Sequence, residues 1–378
     1  MRVALVSGYD WQVFGGVQSQ VRDLAVALTE QGDTVRLIAP GPRPAPASKE
    51  ALLIEATGPS LSLAVNGSRA PVSPGPPSLA RSWRALRAFL PDVVHVHEPL
   101  LPGPPLVGLL WAGAPVVGTF HRAGTDPLYR LEGRLLGALA RRRLVLATAV
   151  SSAAAMTAEE VLGPLGQLRL VPNGVELGRF AAVRKEAAGA GPKDPAGPVV
   201  AFLGRLEARK GLSVLLEALG LLESPPRLVV VGEGPERAAL ERQAAGRVAV
   251  SFLGALPDDE AAAVVAAADC FVAPAVGGES FGIVLLEAMA AGTAVLASDI
   301  PGYTLAAGGA AQLFSAGDPA ALAAGLEAVL TDGELRQRLV AAGTARARQC
   351  SITEVATTYR ELYGLALERT PSGRGSSS

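Results

Sequence analysis

Apolar positions along the chain alternate between short continuous runs and longer stretches with a helical period. The runs at 3–7 and 199–203 are short and almost entirely apolar, as expected for strands buried on both faces of a parallel sheet. The stretch at 17–30 instead repeats an apolar residue every three or four positions, which predicts an amphipathic helix. This strand–helix alternation occurs once before and once after a segment that is rich in Ala, Gly, Lys and Pro.

The pattern therefore predicts an α/β protein with two doubly wound, Rossmann-like domains facing a cleft. A chain of 378 residues is also too long for one ordinary core. The predicted parts are an N-terminal acceptor-binding domain, a linker, a C-terminal nucleotide-binding domain and a C-terminal helix with a tail, at 1–180, 181–198, 199–350 and 351–378.

A glycine pair closes the loop between the first predicted strand and the first predicted helix. Gly15 and Gly16 lie directly before the helix at 17–30. Loops of this kind present backbone N–H groups to an anion, although a paired glycine can equally form a simple tight turn. The pattern is not GxGxxG, so the fingerprint of dinucleotide cofactors is absent.

The segment at 277–292 reads GGESFGIVLLEAMAAG and combines a glycine-rich opening with a run of good helix formers. A helix starting near Ser280 or Phe281 would place Glu279 at its mouth and Glu287 about two turns inside. Free N–H groups at a helix start bind anions, whereas carboxylates bind hydroxyl groups rather than phosphate. This segment therefore predicts a site for a ligand with both groups, such as a sugar nucleotide.

Two cations follow the strand at 199–203. Arg205 and Lys210 lie five positions apart, and only four of the 34 basic residues in the chain are lysines. Cations in this place could neutralise a departing diphosphate, a task that many enzymes give to a metal ion. The sequence contains no D-x-D pair to hold such a metal, and no P-loop motif that would indicate an NTPase.

The three histidines lie in or directly after predicted strands. His95 and His97 share one face of the strand at 93–97, but a zinc site needs a third ligand and no cysteine cluster supplies one. His121 follows the strand at 116–120, at the carboxyl end where ligands bind in open α/β sheets. We therefore interpret His121 as a candidate catalytic residue.

Charge and hydropathy limit the partners. The net charge of −1 gives no sign of nucleic-acid binding. Two cysteines without CxxC spacing suit a reduced cytosolic protein, and five prolines in the longest uncharged run disfavour a membrane-spanning helix.

The predicted helix at 79–90 places four apolar residues on one face, with basic residues interleaved. It could cover the sheet with a solvated basic edge, which the pattern favours, or lie on an anionic membrane surface. Its apolar residues are Leu79, Trp83, Leu86 and Leu90, and its basic residues are Arg81, Arg84 and Arg87.

Taken together, the motifs resemble those of retaining family 4 glycosyltransferases, which have the GT-B fold. Those that carry the resemblance are GGVQSQ at Gly15, HVHEP at His95, TFH at Thr119, VPNGVELGRF at Val171, GRLEARKG at Gly204, VGEGPE at Val231 and the E-x7-E of 277–292. Within this family the chain is most similar to bacterial phosphatidylinositol α-mannosyltransferases, in GGVQS, in VNGSR at Val65 and in GGESFGIVLLEAMAAGTAV.

The resemblance implies transfer of mannose from GDP-mannose to the inositol ring of phosphatidylinositol, with retention of configuration and without a metal or another cofactor. It implies a peripheral location on the cytoplasmic face of the cell membrane and a C-terminal helix that returns to the N-terminal domain. His121 would contact the transferred sugar, Arg205 and Lys210 the diphosphate, Glu279 the sugar and Glu287 the ribose. The remaining donor contacts would be Gly16, Asp258, Ser280, Phe281, Gly282 and Ile283, and the acceptor contacts Tyr9, Gln18, Asn66, Ser68 and Arg69.

Three departures from the family pattern keep alternatives open. The loop after Arg205 is one residue shorter than in the lipid mannosyltransferases, and the segment after Asp258 offers no basic residue to read a guanine. The helix at 79–90 keeps three arginines but is less densely basic than their membrane-binding helix. A family 4 enzyme that uses a UDP- or ADP-sugar and a soluble acceptor is therefore the alternative. A binding protein without catalysis is a third hypothesis, which the intact cationic and carboxylate groups disfavour.

Overall fold

The computed structural model describes residues 1–13, 15–45, 53–65, 68–166, 168–189 and 197–370. Strands β1 to β15 are Arg2–Ser7, Thr34–Ala39, Ile54–Ala56, Leu61–Val65, Ser68–Val72, Val93–His97, Val116–Phe120, Leu144–Ala149, Leu168–Leu170, Val199–Leu203, Arg227–Val231, Val250–Gly254, Cys270–Ala273, Ala294–Ser298 and Gln312–Phe314. Helices α1 to α14 are Gly16–Glu30, Pro76–Phe89, Pro104–Leu110, Pro127–Arg143, Ser152–Leu162, Leu177–Gly189, Leu212–Leu219, Arg237–Ala244, Asp258–Ala267, Ile283–Ala291, Pro301–Ala307, Pro319–Thr331, Gly333–Gln349 and Ile352–Arg369.

The first compact unit comprises Met1–Gly174 and Ile352–Ser378. Its described strands form a parallel sheet in the order β3-β2-β1-β6-β7-β8-β9, with β4 and β5 as a separate antiparallel pair. The chain builds outward from β1 to one edge and then crosses back to β6. Between β1 and β6 the order reverses, and the carboxyl ends of strands at such a switch point are where α/β sheets bind ligands.

The second compact unit, Val175–Ser351, repeats this arrangement. Its described sheet is parallel and has the order β12-β11-β10-β13-β14-β15, so the switch point lies between β10 and β13. The apolar runs of the sequence become strands whose side chains are buried throughout, as in β13 and β14. Two Rossmann-like parallel sheets confirm the predicted fold class.

The C-terminal helix α14 belongs to the first unit, as the resemblance implied. Its apolar face enters the core beside β1 and α1, while two tyrosines carry their hydroxyl groups into the sheet. The Tyr363 hydroxyl lies 2.7 Å from His95 Nδ1, and the Tyr359 hydroxyl lies 3.0 Å from Thr119 Oγ1. The helix is therefore held by a buried polar network as well as by apolar contacts, which satisfies polar groups that would be costly to leave unpaired.

Helix α6 occupies residues that the sequence had suggested as the start of a linker at 181. It packs against α9 and α10 within the second unit. Phe180 and Val183 are buried and lie three positions apart, which places them on one helical face. The alanine-rich composition that resembled a linker also has a high intrinsic helix propensity.

Helix α2 presents a different face to the sheet from the one that the sequence predicted. Leu86 is buried as expected, but Trp83 is 44% exposed and Leu90 is 56% exposed. The packed face instead includes Ser78 and Ser82, whose hydroxyl groups donate to Thr57 Oγ1 and to a main-chain carbonyl. Small polar residues can pack there because these hydrogen bonds satisfy them.

Leu90 follows the last residue of α2 in a left-handed backbone conformation, which turns its side chain away from the helical stripe. Among the described residues, no helix has the length and apolarity needed to cross a membrane.

Candidate functional site

The loops that follow β10 and β13 meet at the switch point of the second unit and form a chain of alternating charges. Arg205 Nη2 lies 2.9 Å from Glu207, and Glu207 lies 3.0 Å from Arg209 Nε. Arg209 Nη1 and Lys210 Nζ then lie 2.6 Å and 2.7 Å from the same oxygen of Glu279. We call these five residues the charge chain.

The charge chain contains three cations and two carboxylates, so it keeps one net positive charge. Glu207 is buried, and the Glu279 side chain is only 11% exposed. Each buried carboxylate is compensated by two cations, which offsets the cost of removing charge from water. An anion that approached this loop would meet preorganised guanidinium and ammonium groups, the arrangement that stabilises negative charge during a reaction.

Close approaches between main chains bring these loops together. Gly211 has φ +69°, and a β-carbon there would lie 1.9 Å from the carbonyl oxygen of Pro274, directly after β13. A β-carbon on Gly232 would lie 1.9 Å from the carbonyl oxygen of Gly204. Only glycine permits contacts of this kind, so the glycines of GRLEARKG and VGEGPE have a structural role in forming the site.

Helix α10 starts at Ile283, later than the predicted start near Ser280 or Phe281. Gly282 caps it with φ +93°, and a β-carbon there would lie 2.4 Å from the ring of Tyr303. This packing bends the chain before the helix. Glu279 therefore stands four residues ahead of the first helical residue, and partly buried Glu287 lies in the second turn. Ser280 is partly buried, whereas Phe281 is buried.

Asp258 is the first residue of α9, where the helix start favours a carboxylate. Its Oδ2 lies 3.8 Å from Nη1 of Arg179, which belongs to α6. The helix that replaces part of the predicted linker therefore contacts one of the predicted donor residues.

In the first unit, His121 follows β7 and is buried. Its Nε2 lies 3.0 Å from Nδ1 of His97, and its main-chain N–H donates to the carboxylate of Glu98. Burial lowers the pKa of His121 to about 3, so the imidazole is neutral at physiological pH.

His95 is engaged on both ring nitrogens, because Nε2 lies 2.6 Å from Thr119 Oγ1 and Nδ1 contacts Tyr363. Within the described ranges, no group of three or more His, Cys, Asp and Glu side chains is placed to hold a metal ion.

The predicted acceptor residues lie around the end of β1, where the structure describes them. Tyr9 forms a bridge to Val72, and burial followed by the charge of Glu98 raises its pKa, so the phenol is neutral. Gln18 folds its amide over Gly15, where a β-carbon would lie 2.4 Å from Oε1, and exposed Gly16 opens α1. Asn66 and the side chains of Ser68 and Arg69 lie outside the described part of the chain.

Several residues in these sites were not selected from the sequence. Arg209 and Glu207 complete the charge chain, and Glu98 contacts the main chain of His121. The alternating charges of RLEARK were a usable signal, but spacing alone could not show which arginine reaches Glu279. The glutamate of HVHEP was visible at a strand end, yet nothing local indicated its partner.

Two family models match most of the chain. The model of Glycosyltransferase Family 4 matches residues 14–179, and that of Glycosyl transferases group 1 matches residues 183–346. A Mycobacterium leprae protein named phosphatidyl-myo-inositol mannosyltransferase is 38% identical over 375 residues, which cover 96% of each chain. A Mycolicibacterium smegmatis protein of the same name is 35% identical over 385 residues, covering 99% of this chain and 95% of the relative.

Solved structures share the fold. The Anabaena protein HepE in complex with UDP and glucose has a TM-score of 0.72 at 19% identity and covers 97% of this chain and 100% of its own. Sucrose-phosphate synthase from Thermosynechococcus elongatus has a TM-score of 0.74 at 22% identity, with 98% and 100% covered. The protein is thus a glycosyltransferase of the GT-B class. By sequence, it belongs to glycosyltransferase family 4.

Proposed function

We propose that the protein transfers mannose from GDP-mannose to the inositol ring of phosphatidylinositol, with retention of configuration. The names of its relatives at 35–38% identity over nearly the full chain support this acceptor and this sugar. The structural observation that carries the proposal is the charge chain, which offers three cations and two carboxylates at the switch point of the second unit.

The charge chain suits the diphosphate and sugar of the donor. Arg205 and Lys210 neutralise the negative charge that develops as the nucleoside diphosphate leaves. Glu279 accepts hydrogen bonds from sugar hydroxyl groups, and Glu287 takes the same role toward the ribose. Donor binding changes the partners of Lys210, because its ammonium group then divides its hydrogen bonds between Glu279 and phosphate.

We further propose that transfer needs no metal ion, because protein cations supply the counter-charge for the diphosphate. The departing diphosphate takes the acceptor proton on the face where the sugar is transferred. The test is the initial rate in excess EDTA compared with the rate in added Mg²⁺ or Mn²⁺. Equal rates are expected, and loss of activity in EDTA that a metal restores would contradict this part of the proposal.

The acceptor residues in this proposal are Tyr9 and Gln18, with Asn66, Ser68 and Arg69 carried over from the resemblance. Helix α2 would bring the protein to the anionic inner face of the cell membrane. Its three arginines, Arg81, Arg84 and Arg87, are exposed, and Trp83 and Leu90 also reach solvent. Basic side chains beside exposed tryptophan and leucine are typical of helices that lie at a membrane interface.

The decisive experiment incubates the purified protein with radiolabelled GDP-mannose and vesicles that contain phosphatidylinositol. Labelled lipid is expected, and NMR of the product should show an α-linked mannose. Co-sedimentation with anionic vesicles should weaken in Arg84→Glu/Arg87→Glu and remain in Arg242→Glu, which reverses an exposed charge on α8. Turnover on a soluble acceptor without labelled lipid would refute the proposed acceptor.

A second candidate is a family 4 enzyme with another nucleotide. The first turn of α9 carries Asp258, Asp259 and Glu260, and the helix contains no basic residue to contact a guanine carbonyl. Calorimetry with GDP, UDP and ADP separates the two candidates. Tight binding of UDP or ADP alone would favour this second candidate over a GDP-mannose donor.

A further inference from the structure

Glu98 has an unusual backbone for a buried acidic residue. It directly follows β6, is 1% exposed and has φ +55°, in the left-handed region that residues with a β-carbon rarely adopt. Such a conformation costs energy and persists only where surrounding contacts impose it. The contacts of Glu98 therefore show what the strained conformation accomplishes.

Two of these contacts reach β7 and the loop after it. The Glu98 main-chain N–H donates to the carbonyl oxygen of Thr119 at 2.8 Å, which continues the pairing of β6 with β7 beyond His97. The turned backbone directs the side chain to the loop that follows β7. There the carboxylate accepts the main-chain N–H groups of His121 and Arg122.

The ring of His121 is fixed independently. His121 Nε2 shares a hydrogen bond with Nδ1 of His97, while His121 Nδ1 is buried and has no hydrogen-bond partner among the described residues. Glu98 thus holds the main chain of His121 and His97 holds its ring.

We propose that Glu98 is a positioning residue for His121, with an ionised carboxylate that fixes the backbone from which the imidazole is presented. The catalytic consequence rests on the proposed function, in which His121 contacts the transferred sugar. A carboxylate accepts hydrogen bonds through both oxygens, whereas a protonated carboxyl group has lost one acceptor position to its own proton. Positioning therefore depends on the ionised form.

The surroundings of Glu98 make this ionisation sensitive to pH near neutrality. Burial raises the pKa of Glu98 to about 7, against the opposing effects of the two main-chain N–H groups and of the Arg122 guanidinium. The other titratable groups of this cluster are Tyr9, the neutral imidazoles of His97 and His121, Asp126, Tyr129 and Glu132. We expect the carboxylate to be fully formed above pH 8 and largely lost below pH 6.

The first test needs neither donor nor acceptor. The chain contains three histidines, so protein labelled with ¹⁵N-histidine gives three backbone amide signals. Substituting each histidine in turn assigns them. The His121 amide should shift with a midpoint near pH 7 in the wild type, because its hydrogen bond strengthens as Glu98 ionises. This titration should vanish in Glu98→Gln and remain in Glu132→Gln, whose carboxyl group has a similarly raised pKa but no hydrogen bond to His121.

The second test measures catalysis. Glu98→Gln is isosteric and should lower kcat about tenfold, because a displaced imidazole loses alignment with the sugar, while KM for the donor changes less than about threefold. The fall of kcat at acidic pH should disappear in Glu98→Gln and persist in Glu132→Gln. Glu98→Asp, which keeps the charge with a shorter reach, should retain this fall and part of the rate.

Two results would overturn the proposal: a His121 amide titration that survives in Glu98→Gln, or a Glu98→Gln enzyme with wild-type kcat and an unchanged pH profile. If wild-type protein fails to use GDP-mannose, the proposed function is wrong, yet the NMR titration still decides whether Glu98 positions His121. Thermal unfolding of each variant shows whether it folds. If Glu98→Gln does not fold, the NMR titration and the kcat–pH profile of Glu98→Asp decide whether Glu98 positions His121.

Discussion

Replacing Glu279 by glutamine should have opposite effects on nucleotide binding and on turnover. Glu279 is the carboxylate that pairs with both Arg209 and Lys210, at 2.6 Å and 2.7 Å. Glutamine keeps the size of the side chain and removes its charge. The charge chain then gains one positive charge, while the proposed ligand for the sugar hydroxyl groups is weakened.

The magnitude follows from the partial burial of the pair. Two unit charges about 4 Å apart interact by about 4 kcal/mol at an effective dielectric constant of about 20. A bound diphosphate lies farther from Glu279 than its cations do, and water and salt screen the Arg209 and Lys210 side chains, which are 26% and 14% exposed. We therefore expect about 1 kcal/mol, which is about fivefold tighter binding of the nucleoside diphosphate. Turnover should instead fall about 10²- to 10³-fold, because a sugar contact of the transition state is lost.

Calorimetry with GDP measures the first effect, and initial rates with saturating GDP-mannose measure the second. Glu241→Gln is the matched control, because it removes the same charge from an ion pair with Arg237 on the surface of α8. It should leave both quantities unchanged within about twofold. The reasoning would be refuted if Glu279→Gln weakened GDP binding as strongly as turnover, or if it left turnover intact.

Three further predictions concern stability. Gly211→Ala should lower the free energy of unfolding by about 2–3 kcal/mol in urea denaturation, because its β-carbon would meet the main chain after β13. The control is Gly246→Ala, at φ +70° with open space around it, which should lower the free energy of unfolding by about 1 kcal/mol. Tyr363→Phe should cost about 1–3 kcal/mol by the same measurement, because a buried nitrogen of His95 loses its partner; an unchanged midpoint would contradict this. Stability should also fall as the pH drops from about 6.5 toward 3, because burial lowers the pKa of His95 and His121 to about 3 and the unfolded chain then binds more protons. The fall should be steepest below about 4.5, since the raised pKa values of Glu98 and Glu132, about 7, give the folded state more protons above that pH and oppose the histidines. His121→Gln should show a shallower loss in urea titrations over this range.

The sequence predicted the two α/β domains because their signals are local. Short apolar runs bounded by turn residues are typical of buried strands, and helical periods between them favour a parallel sheet with crossover helices. The same pattern placed Arg205, His121 and Glu279 after strands. The strand order then brought the ends of β10 and β13, which precede Arg205 and Glu279, to the switch point of the second unit. Family motifs added the class of enzyme to what periodicity could show.

Helix α2 shows where periodicity was insufficient. The sequence placed Trp83 and Leu90 on the packed face, yet hydrogen bonds allow Ser78 and Ser82 to occupy it. Hydrophobicity scales assign serine to the surface because they cannot include a buried partner, such as the Thr57 hydroxyl, that lies far away in sequence.

The glycine-rich segment at 277–292 shows both what the sequence predicted and what only the tertiary structure decided. From its residues alone, the chain predicted a helix starting near Ser280 or Phe281, with Glu279 at its mouth and Glu287 about two turns inside, and the observed helix starts at Ile283. Only the tertiary structure decided that Glu279 contacts Arg209 and Lys210, because that contact depends on main chains meeting at Gly211 and on the packing of Gly282. Spacing along a chain fixes which side chains share a helix or a strand. Contacts between loops instead depend on how closely the backbones of different elements can approach.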